Sequence, residues 1–178
     1  MKKYGILSAT GADRPGIVHD VSQFMFEHGC NLEDSRMSVL GGQFALIALF
    51  SGEEHELDSL TRSLQTFEHK TALRAMVTEA EGPHTVKRAP ALPVRLEVVA
   101  MDAPGILAQI SDVLEKHRVN VDSLDAHLAP APTSGTTVSS IKMKISVPQD
   151  VPLKTVKDAL TDLADHINLD LLFQPVQE

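Results

Sequence analysis

Cysteine is almost absent from this 178-residue chain, where Cys30 stands alone. A single thiol forms no intrachain disulfide and supplies no cysteine cluster for a metal. Tryptophan is missing, and aromatic residues make up only 4% of the chain. Positive charge is in deficit, with a formal net charge of −8. That balance suits neither a phosphate backbone nor an anionic membrane surface, both of which attract cations. Long apolar runs are missing too. The start, MKKYGILSATGAD, carries two lysines, but its apolar run is broken by Ser8, Thr10 and Gly11. This is too weak for a secretory signal, and no stretch approaches the length of a membrane span. The reading is of a cytoplasmic protein with no membrane contact, no direct nucleic-acid contact, and no metal or cofactor.

What is present suits a folded globular chain: 43% hydrophobic and 22% charged residues. The informative feature is a repeat. Asp13–Val18 reads DRPGIV and Asp102–Leu107 reads DAPGIL, 89 positions later. At that shift, without a gap, residues 13–33 fall on 102–122 with identities Asp13/Asp102, Pro15/Pro104, Gly16/Gly105, Ile17/Ile106, Ser22/Ser111, His28/His117 and Asn31/Asn120. Chance pairing gives roughly one or two such matches. Val18/Leu107, Val21/Ile110, Phe24/Val113, Met25/Leu114 and Leu32/Val121 also keep apolar on apolar. The chain is a tandem duplication of a unit shorter than ninety residues.

Each unit parses alike. YGILSAT (4–10) and VRLEVVAM (94–101) read as first strands. The helices that follow carry apolar faces at Ile17, Val21, Phe24 and Met25, and at Ile106, Ile110, Val113 and Leu114. Gly29 reads as a helix stop, a place taken by Arg118 in the second copy. NLEDSRMSVL and QFALIALF form a hairpin around Gly41-Gly42. Leu57, Leu60, Leu64 and Phe67 lie on one face of a second helix, and ALRAMVTEA closes the unit. The second copy continues with NVDSLDAHLA, VSSIKMKISV, a helix over 153–166 and NLDLLFQPV, with a longer loop at 130–137. The order βαββαβ predicts an α+β fold: two ferredoxin-like units, each an antiparallel sheet with both helices on one face. The boundaries read as 1–80, a linker at 81–93 rich in proline and charge, and 94–178.

Several occupants of that fold fail on residues. An RNA-recognition sheet needs aromatics on its central strands, a metal chaperone needs CxxC, and an acylphosphatase-like loop needs an arginine in a phosphate cradle. Arg14 sits in the right loop, but Ala103 replaces it in the second copy and the glycine-rich cradle is missing. No HExxH or i,i+4 histidine pair appears. Ser22 and Ser111 lie inside helices without a nucleophile elbow, Cys30 aligns with the apolar Val119, and His28 and His117 sit at the inward helix edge. Glu53, Glu54 and Glu56 precede a helix whose dipole they complement. No catalytic constellation and no metal-ligand set survives.

The stretch GADRPGIVHDVSQFMFEHGCNLEDSRMSV closely resembles the opening of ACT domains, small modules that bind amino acids and regulate other proteins. The double copy, the length and HLAPAPTSGTT…IKMKISVP resemble the glycine cleavage system transcriptional repressor family. The resemblance implies a non-enzymatic sensor of a small amino acid, glycine being one candidate. It would act on a transcription factor by protein contact, with a homodimer open to it. An allosteric subunit acting in trans on a metabolic enzyme is the alternative, and an interaction module with decayed ligand sites is a third.

The turn itself predicts where a ligand binds. Arg14 and Ala103 precede prolines and are pushed out of the helical region. Pro15 and Pro104 suit a first helical position, and Asp13 and Asp102 suit caps. Gly16 and Gly105 would leave out a Cβ that covers the first-turn amides, which then face an anion such as a carboxylate. A tight Pro-Gly turn serving packing alone is the competing reading. Asn31 and Asn120 recur in register as turn formers or ligand contacts. The candidate ligand-binding residues are therefore Asp13, Arg14, Pro15, Gly16, Ile17 and Asn31, with Asp102, Pro104, Gly105, Ile106 and Asn120 in the second copy.

The acidic balance generates a first prediction. The purified chain forms no discrete, competitor-resistant complex with duplex DNA in a low-salt gel shift; such a band would overturn the charge argument.

Overall fold

The computed structural model describes residues 2–82, 89–130 and 137–176. The chain divides into two compact units, Met1–Lys87 and Arg88–Glu178. The first runs β1 (Lys3–Ala12), α1 (Ile17–Glu27), β2 (Asn31–Leu40), β3 (Gln43–Gly52), α2 (Glu54–Thr71) and β4 (Arg74–Ala80). The second repeats this with β5 (Ala91–Met101), α3 (Ile106–Lys116), β6 (Asn120–Pro130), β7 (Thr137–Pro148), α4 (Leu153–Ile167) and β8 (Asp170–Pro175). Sheet orders are β2-β3-β1-β4 and β6-β7-β5-β8, antiparallel throughout. Strand β5 starts at Ala91, inside the stretch read as linker, because Ala91, Leu92 and Pro93 pair with Pro148, Val147 and Ser146. The rest of that linker falls mostly on 83–88, and the longer loop on 131–136, both outside the described residues.

Period-two burial explains the first layer. Leu7, Ala9, Phe44, Ala48 and Phe50 are buried and turn to the helices, which meet them with Ile17, Val21, Phe24, Met25, Leu60 and Phe67. Phe24 stacks on Phe67 with ring centroids 4.4 Å apart, joining α1 to α2. Such a pair contributes about 0.5–1.5 kcal/mol beyond its area. In the second unit Val94, Leu96, Val98, Ile141, Met143 and Ile145 face Ile106, Ile110, Leu114, Val156 and Leu160. Val113 stands there in place of Phe24. Cys30 is buried in the first core. Burial and then the Glu56 charge push its thiol up to about 11, the opposite of what a nucleophile needs. Among the described residues, no helix is long and apolar enough to cross a membrane.

Helix ends follow identifiable chemistry. The Glu53 N–H donates to Glu56 Oε2 at 2.6 Å in a reciprocal capping box. At the far end of α1 the Cys30 N–H donates to the Met25 carbonyl and the Gly29 N–H to that of Phe26. This is a Schellman close with Gly29 at φ 75°. Val119 and Arg118 make the equivalent bonds to Leu114 and Glu115, so Arg118 is driven to φ 57°. Ala72 ends α2 at φ 59°, its N–H donating to the Glu68 carbonyl at 2.8 Å.

A left-handed conformation costs a non-glycine residue about 1–2 kcal/mol. Ala72→Gly therefore raises stability by about 1 kcal/mol. Arg118→Gly raises it by less, since it gives up the exposed Arg118–Asp150 pair. Gly29→Ala lowers it, because the new Cβ lies 2.5 Å from Glu56 Oε1. Urea titration of the three variants checks both the signs and this order.

Candidate functional site

The Pro-Gly turns sit between a sheet strand and the helix behind it. Helices α1 and α3 begin at Ile17 and Ile106, so Pro15 and Pro104 lie ahead of the helix rather than at its first position. Gly16 and Gly105 are the N-caps, at φ 90° and 89°. Their carbonyls accept the first helical bonds, from the Asp20 N–H at 2.9 Å and the Gln109 N–H at 3.0 Å. The glycines are required by backbone conformation: a Cβ would find only Arg14 Nη1 or Gln109 Nε2, each 4.0 Å away. The space above each helix end is open, but the residue type is set by φ, because an L side chain rarely adopts it. This corrects the expectation that the missing Cβ itself clears the amides.

Asp13 and Asp102 do not cap, for no side chain caps either helix. Their backbone N–H groups donate instead to the Gly42 and Thr137 carbonyls, at 2.9 and 3.1 Å. These bonds tie each turn to the start of the neighbouring strand. Arg14 folds back, its Nη2 donating to Asp20 Oδ2 at 2.6 Å and to the Thr71 carbonyl at 3.3 Å. It staples the turn to the end of α2. A groove of about 320 Å³ runs between α1 and α2 from this end, lined by His19, Asp20, Phe24, Phe67, Lys70 and Thr71 among others. Ile17 and Ile106 are buried and belong to the core.

Asn31 and Asn120 lie elsewhere. Each opens the strand that follows α1 or α3, at the opposite end of an 11-residue helix from its own glycine. At 1.5 Å rise per residue that separation is about 16 Å, so glycine and asparagine of one unit do not converge. Asn31 instead donates to Glu33 Oε1 at 3.2 Å, which also accepts from Ser51 Oγ at 2.5 Å and Lys2 Nζ at 2.8 Å. Asn120 donates to Asp122 Oδ1 at 2.7 Å, while Ser146 Oγ donates to Asp122 Oδ2 at 2.5 Å. Both carboxylates occupy the register break of their edge strand, between Leu32 and Asp34 and between Val121 and Ser123. A bulge leaves one residue without a cross-strand partner, and here that residue carries the carboxylate in both copies. The signal was in the sequence, as Asn-x-Glu and Asn-x-Asp at the repeat offset. It passes unread without the bulge.

Among the described residues, no acid–base or nucleophilic set gathers at either turn. Ser22 Oγ donates to the Val18 and His19 carbonyls within its own helix, and His28 Nδ1 bonds the Phe24 carbonyl at 2.8 Å. Among the described residues, no group of three His, Cys, Asp or Glu is placed to hold a metal. The arrangement offers backbone donors at an uncapped helix end.

Family models described as ACT domain match residues 3–78 and 89–165. The chain belongs to the ACT-domain family. It carries two ACT domains in tandem. Its 26% identity over 93% of its length to the glycine cleavage system transcriptional repressor of Escherichia coli K12, of which 86% is covered, extends the likeness across both domains. The repressor from Shigella flexneri matches at the same level. A crystal structure of an unknown protein from Galdieria sulphuraria superposes with TM-score 0.82 at 26% identity, covering 99% of this chain and all of that one.

Within the first ACT domain the Glu33 contacts generate a pH prediction. The Lys2 ammonium first, then the Ser51 hydroxyl and the Asn31 amide, hold its carboxyl down to about 2. A carboxylate depressed in the folded state adds stability above its unfolded value, roughly 4.3. That stability is lost as pH falls through the folded value. Glu33→Gln is therefore less stable than the parent at pH 7, and the gap closes between roughly pH 4.5 and 2. Thermal melts across that range check it; a constant gap contradicts the assignment.

Proposed function

We propose that the chain is a non-enzymatic regulator that senses a small amino acid through its ACT domains and controls transcription by contacting a protein partner. The observation that carries this reading is the tandem ACT architecture, aligned over nearly its whole length with a glycine cleavage repressor. The local chemistry supports it. An uncapped helix start offers free N–H groups and a positive dipole end, which suit a carboxylate. Each unit presents one such start, at Ile17 and at Ile106. Glycine is the first ligand to test, on the strength of the relative's name. Partner contact rather than DNA contact follows from the net charge of −8 and from the absence, among the described residues, of any element outside the two βαββαβ units.

The ligand prediction uses the amides directly. Replacing Gly16 would confound binding with backbone strain, so the informative variants are Val18→Pro and Leu107→Pro. Proline is tolerated in a first helical turn but removes one N–H donor. Calorimetry with the twenty amino acids yields saturable binding to the parent. Affinity falls about tenfold or more in the variant at each functional site, with melting temperature held within a few degrees. Unchanged affinity in both variants overturns the assignment of the helix ends. Co-purification from lysate decides the output: a DNA-binding protein supports the transcriptional reading, and a metabolic enzyme replaces it.

A further inference from the structure

The duplication provides an internal comparison on the sheet face turned away from the helices. In the first unit that face pairs Ile6 with Leu49 and Ser8 with Ile47. At the corresponding places the second unit pairs Arg95 with Lys144 and Glu97 with Lys142. The same fold forms with apolar residues there, so folding does not call for the cations.

Their charges are not equally matched. Lys142 lies between Glu97 on β5 and Asp125 on β6. Lys144 lies between Arg95 and Ser123, and the other neighbour of Arg95 is Gln174 on β8. Like charges directly opposite in an antiparallel pair are destabilising. Neither Arg95 nor Lys144 forms an ion pair among the described residues, and both side chains are exposed. Over them lies a depression of about 270 Å³, lined also by Glu97, Ser123, Asp125 and Lys142, the two carboxylates each standing opposite Lys142.

We propose that Arg95 and Lys144 form a site for a small oxyanion, a phosphate or carboxylate group of a small molecule, on the open face of the second sheet. An anion seated between them replaces repulsion with two charge-assisted hydrogen bonds. The guanidinium offers a planar fork and the ammonium a point charge, a pairing suited to a tetrahedral or planar oxyanion. Glu97 and Asp125 line the same depression but are matched by Lys142 between them; they confine an anion to the Arg95–Lys144 side, which favours a compact ligand over an extended acidic protein surface. This site is separate from the helix ends and stands whether or not they bind an amino acid.

The test uses the full chain labelled with ¹⁵N, titrated with inorganic phosphate and separately with acetate, against sodium chloride at matched ionic strength. Backbone amides around positions 95 and 144 shift saturably with at least one oxyanion and not with chloride. Which oxyanion binds more tightly tells phosphate from carboxylate. The double variant Arg95→Ile with Lys144→Leu, which installs the first unit's own pair, loses affinity at least tenfold and melts no lower than the parent without anion. Should it fail to fold, Arg95→Gln and Lys144→Gln singly carry the same affinity reading. Equal shifts in chloride, or undiminished affinity in the variants, overturn the site.

Discussion

Everything at the Pro-Gly end of each unit depends on one backbone constraint. The chain must leave a central strand, reverse, and place an isoleucine in the core within a few residues. Gly16 and Gly105 accomplish this by adopting φ near 90°, which seats Ile17 and Ile106 in the core one residue later. In the helix interior a glycine costs about 1 kcal/mol relative to alanine. At a left-handed position any other residue pays about 1–2 kcal/mol, so here glycine is the favourable choice. The same geometry leaves the first turn without a side-chain cap. An open helix end is thus a by-product of the turn that builds the core, available for binding without a further structural requirement.

The opposite end of α1 and α3 has a different logic. There a bulge carboxylate gathers the strand-opening asparagine and the serine facing it. Because a one-residue slip would turn every side chain of an edge strand over, a hydrogen-bonded bulge fixes the phase of β2 and β6. That phase matters on strands exposed along both faces, where burial alone specifies register weakly. Each asparagine bonds the carboxylate of its own bulge, at the other end of the helix from the glycine of the same unit.

The fold was legible because periodicity held at every element, while the 89-residue offset tied the first strands, first helices and strand openings of the two copies together. Leu60 and Phe67 are buried and Leu57 and Leu64 pack against the same core, as their helical spacing implies. Cys30, aligned with Val119, is buried as that residue is. The site was less legible. Asp before Pro-Gly looks like a cap, yet the left-handed glycine moves the helix start two residues past the proline, and Asp13 is left holding a strand through its backbone. Arg14, read as a ligand contact, is held by Asp20 and by the Thr71 carbonyl that α2 supplies. Both arrangements depend on distances across the fold, which local spacing does not encode.

The hairpin between β2 and β3 turns on Gly41 and Gly42, and a Cβ on either would meet nothing within 4 Å. In the second copy the chain between the equivalent strands is longer, running from Pro130 to Thr137. Duplication has therefore already performed an insertion experiment at this tip, and the flanking strands β6 and β7 still pair along their full length. For protein engineering, the tip of the first hairpin is a natural port, and because the Gly42 carbonyl accepts the Asp13 N–H that anchors the Pro-Gly turn, a fluorophore placed there also reports on the start of α1.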